Sequence, residues 1–559
     1  MKAELPQLPP FETHAVDNQP PEFAPRDLWA DDVVLREAVT REGGAAFVDR
    51  IAAYGAVAGS EQYALSFDAH RDKPRLRTHD RYGNRIDTVE FHPNYHRIMQ
   101  AAIESGVAGL SWAEQALDKH APGSHVARAA LSYLHHQVEP GTSCPLTMTH
   151  AAVPVLRHAP ELSEWVDKVA ACRYDARDVA IADKPGVTLG MGMTEKQGGS
   201  DVRANTTRAT LLSASDNSYA LVGHKWFFSA PMCDGFLVLA HAPAGLSCFL
   251  MPRRLPDGTK NAFRLMRLKD KLGDWSNASS EVEFVDAVAW RVGEEGRGIA
   301  TILEMVMLTR LDCMLGSSGQ MRMALAHALH HAAHRRAFGR RLIEQPLMRN
   351  VLADLAIESE AALALSLRVA RAVDAAERGG TDDASRYETA FARIATAIGK
   401  YWICKRTPAF VNEAQECLGG AGYVEESILP RLYRQAPLNS IWEGSGNIQC
   451  LDVLRALARE PDTSIALFAE LESARGLHKA YDDALVVLKD ALSPGRVEEA
   501  GARLLTEHLA LALQASILLR AGSPAADAFC ASRLGGERGL VFGTLPSALD
   551  CTSLLERAL

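Results

Sequence analysis

The sequence predicts an α+β chain in which a helical N-terminal domain, a compact β unit, a bundle of long helices and a further helical domain follow one another. Three observations carry this. Apolar residues recur at helical spacing in both outer parts of the chain, as in Met99, Ala102 and Ile103 or Ala127, Ala130, Leu131 and Leu134. Between residues 187 and 292 the texture turns to short β-rich runs such as Phe236-Leu237-Val238-Leu239 and the alternating Glu281-Val282-Glu283-Phe284-Val285. Glycine and proline then mark long helical segments, with Pro346 suited to a first turn and Gly379-Gly380 and Gly419-Gly420 suited to exits.

Taken in order, residues 1–30 are proline-rich and read as an extended arm. Residues 31–186 read as a mostly helical domain, and residues 187–292 as a small barrel or sandwich. Residues 293–452 form the bundle, and residues 453–559 a C-terminal helical domain. A chain of 559 residues exceeds one core, so several domains are expected. The net charge of -9 argues against a surface that coats nucleic acid or hugs a membrane. The most apolar stretch, Leu509 to Leu519, is broken by Gln514 and closed by Arg520, which reads as a buried helix. Ten cysteines without a C-x-x-C pair, and a start without an apolar signal core, read as a reduced cytoplasmic protein.

The stretch Asn439-Ser440-Ile441-Trp442-Glu443-Gly444-Ser445-Gly446-Asn447 carries the chemistry. Glu443 follows an apolar, aromatic approach and precedes a glycine turn, and the periodicity from Ile448 to Leu457 begins a helix whose bare N–H groups lie beside the acid. Poor solvation raises such a carboxyl's pKa and strengthens it as a base. The same pattern also serves a helix-entry glutamate beside a core tryptophan. Gly190-Met191-Gly192-Met193-Thr194-Glu195 is not a dinucleotide fingerprint, because Glu195 stands where the third glycine belongs. Met193 to Asn205 instead offers glycines and the hydroxyls of Thr194 and Ser200, which suit a flat polar heterocycle, a pyrophosphate or simply a turn.

His327, His330, His331 and His334 share one helical face, but no acid or thiol accompanies them and Arg335-Arg336 follow, so no metal is expected. Arg253 to Lys271 carries seven basic residues against two aspartates, which reads as solvated charge or as a phosphate-facing patch.

The segment Gly192 to Ala204 resembles the first signature of the acyl-CoA dehydrogenase family, and Glu416-Cys417-Leu418-Gly419-Gly420-Ala421-Gly422-Tyr423 resembles the second. Ile441-Trp442-Glu443-Gly444-Ser445 is similar to that family's catalytic-base site. Asn18-Gln19-Pro20-Pro21, Gly223-His224-Lys225-Trp226-Phe227-Phe228-Ser229 and the extra C-terminal domain look like its AidB branch, whose members carry a response to DNA alkylation. The resemblance implies an acyl-CoA dehydrogenase-like fold with a central β-barrel, FAD as cofactor and Glu443 as the base that takes the α-proton of an acyl-CoA. It implies that Met193, Thr194 and Ser200 contact FAD, that Phe227, Phe228 and Ser229 lie beside the isoalloxazine, and that Trp442, Gly444, Ser445 and Asn447 complete the site. It further implies that Arg335 and Phe338 reach the FAD of a neighbouring subunit in a homotetramer, and that electrons pass to an electron-transfer flavoprotein or to oxygen. The bulk of Trp442, Phe227 and Phe228 predicts slow turnover or short acyl groups. The alternative is a protective, DNA-associated flavoprotein with vestigial dehydrogenase activity. Val453 to Leu559 holds 11 Lys and Arg against 14 Asp and Glu, so duplex DNA would be met weakly and without sequence preference, with Arg455 as the candidate contact.

Overall fold

The computed structural model describes residues 13–116, 122–493, 498–536 and 539–559; the first twelve residues of the expected arm lie outside them. The N-terminal domain packs helices Val33–Arg41, Val48–Val57, Tyr63–Arg71, Pro93–Ser105, Ser124–Val138 and Pro140–Leu156. It also holds an antiparallel hairpin, β1 (Arg75–His79) and β2 (Arg85–Glu90), within a stretch the sequence reads as mostly helical. Its turn is tied by Asp80, whose carboxylate accepts from the N–H groups of Tyr82 and Asn84.

Seven strands form the β unit: β3 (Leu189–Gly192), β4 (Arg208–Ser213), β5 (Ser218–Ser229), β6 (Gly235–Ala242), β7 (Gly245–Pro252), β8 (Phe263–Leu268) and β9 (Ser279–Val292). The order β6-β4-β5-β9-β7 closes on itself because β7 also pairs with β6, so the unit is a barrel. Strand β3 runs parallel beside β6, and β8 antiparallel beside β9. Strands β6 and β7 are buried on both faces, which is why they read as unbroken apolar runs.

Three long helices, Gly298–His334, Pro346–Glu377 and Asp383–Leu418, form the bundle with the shorter Gly446–Arg459. Pro346 occupies the first turn of its helix, and Gly419 caps the next at φ +61°, a conformation that favours glycine. Ser124–Val138 is buried on every face against this bundle, and its Arg128 holds Asp312 of the Gly298–His334 helix (Nη2–Oδ2 2.7 Å). Helices Pro461–Glu472, Lys479–Ala491, Ala502–Arg520 and Thr552–Ala558 complete the C-terminal domain. The stretch Glu499–Arg520 has the length and apolarity of a membrane span, yet 72% of its window is buried inside the protein, as a core helix is. All ten cysteines are free thiols.

The histidine face is occupied by the arm. Phe23 stacks on His327 at 3.7 Å and meets His330 edge-on, while His330 Nε2 lies 2.9 Å from the Pro21 carbonyl. The basic run is largely neutralised: Arg253 and Arg254 pair with Asp178, Lys260 lies by Asp87, and Arg267 and Lys269 share Glu281. Five of its seven cations thus have carboxylate partners, which leaves little uncompensated charge in the segment.

Candidate active site

The loop between the bundle and its last helix sets Glu443 at φ +57°, a left-handed conformation that costs a non-glycine residue about 1–2 kcal/mol. The surroundings hold it there through three successive carbonyls. Lys400 Nζ donates to Trp442 O at 2.8 Å and also to Gly444 O. Arg310 Nε donates to Glu443 O at 3.1 Å, and Gln449 Nε2 reaches the carbonyls of Glu443 and Gly444 at 3.0 Å each.

The half-buried Glu443 carboxylate accepts from Thr309 Oγ1 at 2.8 Å. Burial raises its pKa; the Thr309 hydrogen bond and the charges of Lys400 and Arg310 partly oppose this without reversing it. Trp442 stands beside it, its indole N–H donating to Asn439 Oδ1 at 3.0 Å. Ser445 caps the Gly446–Arg459 helix without a side-chain hydrogen bond, leaving the first N–H groups open beside the acid.

Across from this loop lies the barrel strand β5. Its pairing with β9 slips between Lys225 and Phe228, a bulge that turns Phe227 outward, 52% exposed, while Lys225 and Phe228 face the barrel interior. The Phe228 ring packs on Phe236 at 4.4 Å and near Phe284. That corrects the expectation that it flanks a bound ring: Phe228 offers the cleft no side chain and does not narrow it. Ser229 returns to the outer face, 3.3 Å from Ser279 and against the Cys144 thiol. Glu443 lies within electrostatic reach of that same thiol, so Cys144 marks where barrel and bundle meet.

Met193 and Thr194 are half-buried beside the strand, and Trp226 N donates to Thr194 O at 2.9 Å. Their loop is organised by the buried Glu195, which accepts from Lys225 Nζ at 2.8 Å, Thr207 Oγ1 at 2.6 Å and Thr206 N at 2.7 Å. Ser200 is exposed at the loop's far end. Asn447 is exposed too, its amide oxygen accepting from Arg503 of the C-terminal domain at 2.8 Å. The structure does not bring Arg335 and Phe338 to this cleft by hydrogen bonds. They lie at a hairpin, Arg336–Ala337 with Arg340–Arg341, whose tip presents Phe338 98% exposed. Asn18 of the arm fixes it by bonding to both the N–H (2.8 Å) and the carbonyl (2.9 Å) of Arg336.

Arg455 is half exposed, but its guanidinium donates to Asp452, which also takes Arg310 and Arg393. The clamps Thr309, Arg310, Lys400 and Gln449 escape sequence reasoning. The one trace of them is charge inside helices that are otherwise apolar.

Residues 18–176 match the family model of the adaptive response protein AidB N-terminal domain, residues 190–287 the acyl-CoA dehydrogenase middle domain, and residues 296–458 the acyl-CoA dehydrogenase C-terminal domain. The chain is 47% identical to the AidB protein of Escherichia coli (strain K12), over 95% of this chain and 96% of that one. It is 31% identical to acyl-CoA dehydrogenase family member 11 of Caenorhabditis elegans, over 83% and 76% of the respective chains. Among solved structures, C. elegans ACDH-11 in complex with C11-CoA matches with a TM-score of 0.83 at 27% identity, covering 93% of each chain. These matches run through the helical domain, the barrel and the bundle alike, and on them the chain belongs to the acyl-CoA dehydrogenase family, in its AidB branch.

Proposed function

We propose that the chain is an FAD-dependent acyl-CoA dehydrogenase that removes the α-proton and a β-hydrogen of an acyl thioester, with Glu443 as the base. The observation that carries this is the Glu443 carboxylate itself, held by Thr309 and raised in pKa by burial in a loop clamped at three carbonyls. A thioester α-proton is weakly acidic, so the base must be poorly solvated and fixed in direction. Thr309 supplies the direction, and Trp442, pinned by Asn439, supplies a wall that excludes water. The backbone N–H of Glu443, in the same turn, is the donor we assign to the thioester carbonyl, where negative charge develops as the proton leaves.

The cleft fits FAD in its donor chemistry. Phe227 gives an outward aromatic face, Met193, Thr194, Ser200 and Ser229 give small and hydroxyl contacts, and Trp442, Gly444, Ser445 and Asn447 surround the open helix N-terminus. When bound there, FAD supplies a two-electron acceptor for the β-hydrogen. The rigid Trp442 wall favours short acyl groups.

The same reading includes a homotetramer in which Arg335 and Phe338 serve a neighbour's FAD; the support is a phenylalanine standing fully in water on a two-residue turn. It also includes an electron-transfer flavoprotein or oxygen as acceptor, and a cytoplasmic setting suited to ten free thiols. Duplex DNA is the second reading, through Arg455. An acidic C-terminal domain, and the engagement of that guanidinium by Asp452, favour the dehydrogenase over it.

The deciding experiment mixes the FAD-loaded protein anaerobically with a series of straight-chain acyl-CoAs and follows bleaching of the flavin. Rapid bleaching by short chains is expected. A flavin that no acyl-CoA reduces, together with a duplex-DNA mobility shift, would decide for the second reading.

A further inference from the structure

Behind Ser229 stands a charged group that the mechanism above does not use. Lys271, in the loop between β8 and β9, donates from Nζ to Asn277 O at 2.8 Å and to Ser279 Oγ at 3.2 Å. Among the described residues it makes no ion pair, unlike Arg267 and Lys269 of the same run, which share Glu281. Its opposing charge is the buried carboxylate of Asp274 in the same loop, which acts on it through space while the ammonium's hydrogen bonds go to the barrel side. An ammonium held out of bulk water costs stability, so its retention calls for a use.

The hydrogen bonds give it a direction. An ammonium only donates, so the Ser279 oxygen must accept from Lys271, and the Ser279 proton is then free for Ser229 Oγ, 3.3 Å away. Ser229 accepts in turn, which leaves its own proton for the Cys144 sulfur beside it or for an acceptor in the cleft, and an acceptor oxygen or nitrogen is the stronger of the two. Ser229 and Ser279 are direct cross-strand partners of β5 and β9, so the two hydroxyls are held together by the barrel ladder.

We propose that Lys271 is a positioning residue for the flavin: through Ser279 it fixes Ser229 as a hydrogen-bond donor to the ring and places positive charge behind it, which raises the ring's affinity for electrons. This rests on the reading of the cleft as the FAD site. A donor chain anchored on a cation stabilises electron density arriving at its far end, and in a site shielded from water the charge is weakly screened.

The test is the flavin's reduction equilibrium against a reference dye in the FAD-loaded protein, measured without any acyl-CoA. Lys271→Met is expected to shift that equilibrium toward oxidised flavin by about tenfold or more, while Lys271→Arg, which keeps charge and donors, shifts it far less. Ser279→Ala leaves the ammonium in place and cuts the chain, so a smaller shift in the same direction is expected. It decides the matter if the methionine variant does not retain FAD: a shift supports the proposal and an unchanged equilibrium overturns it. A flavin-loaded wild type whose Lys271→Met variant keeps the same equilibrium overturns the Lys271 assignment and leaves the flavin site standing. A wild type that takes up no FAD overturns both.

Discussion

Thr309 Oγ1 lies 2.8 Å from Glu443 Oε2, joining the first third of the 37-residue Gly298–His334 helix to a loop 134 residues further along the chain. The hydroxyl stabilises the ionised carboxylate, so Thr309→Val raises an already raised pKa. The base is lost as pH falls through that pKa, and the acid limb of the kcat–pH profile therefore moves to higher pH. A hydrogen bond to a charged group is worth about 1.5–3 kcal/mol, so kcat at neutral pH should fall roughly 10- to 100-fold. An unshifted acid limb would show that the contact does not govern the base.

Glu443→Gln keeps the size and the clamped backbone of the loop but removes the proton acceptor. FAD binding should persist, and bleaching by a short acyl-CoA should slow by at least about 10²–10⁴-fold, the share of a general base. The measurement is single-turnover flavin reduction, with FAD content checked by absorbance. Loss of FAD would assign Glu443 to binding instead.

Glu470 joins the C-terminal domain to the bundle: it takes Arg368 at 2.8 and 3.0 Å and Tyr387 at 2.7 Å, and it also takes Arg520. Burial opposes its ionisation, but the Arg368 hydrogen bond and charge outweigh it and hold the carboxyl down to about 2. Because the folded value lies below the unfolded one, this stability is present above about 4.5 and is lost as pH falls toward 2. Glu470→Gln leaves Arg368 buried and under-compensated, and should cost about 3–5 kcal/mol at neutral pH. Denaturant melts at pH 7 and pH 3 check both points, since the gap between variant and wild type should narrow at the lower pH.

Phe338→Ala should lower the assembly state on dilution, read by light scattering, and speed FAD loss, because an exposed phenylalanine on a pinned turn is poised for a neighbour. Asn18→Ala, which frees the same hairpin, should do so more mildly. A monomeric wild type would refute the arrangement.

The acid was legible in the sequence because its signal is local: an aromatic before it, glycines after it and a helix directly behind. What holds it was not, since Thr309, Arg310 and Lys400 come from two other helices, and proximity in a bundle leaves no mark at a distance along the chain. Phe228 was set beside the ring because the resemblance carries over three consecutive positions together, whereas the bulge between Lys225 and Phe228 sends neighbouring side chains to opposite faces. The β1–β2 hairpin hid for a related reason. Strand β1 has no buried face, so no period-two apolar pattern announces it. The basic run read as uncompensated charge because its partners Asp87 and Asp178 stand before the barrel in sequence, and Glu281 on the next strand, all of them beside it only in space.

Arg557 holds Glu37 and Glu360 together, and Arg322 bonds to the carbonyls of Ala558 and Asp31. The N-terminal helices, the bundle and the last helix thus share one seam, closed across 520 residues of sequence. During synthesis that seam cannot close until residue 557 has left the ribosome, so Glu37 and Glu360 wait without the cation that joins them. Slow translation should therefore lengthen the time the nascent chain spends on chaperones.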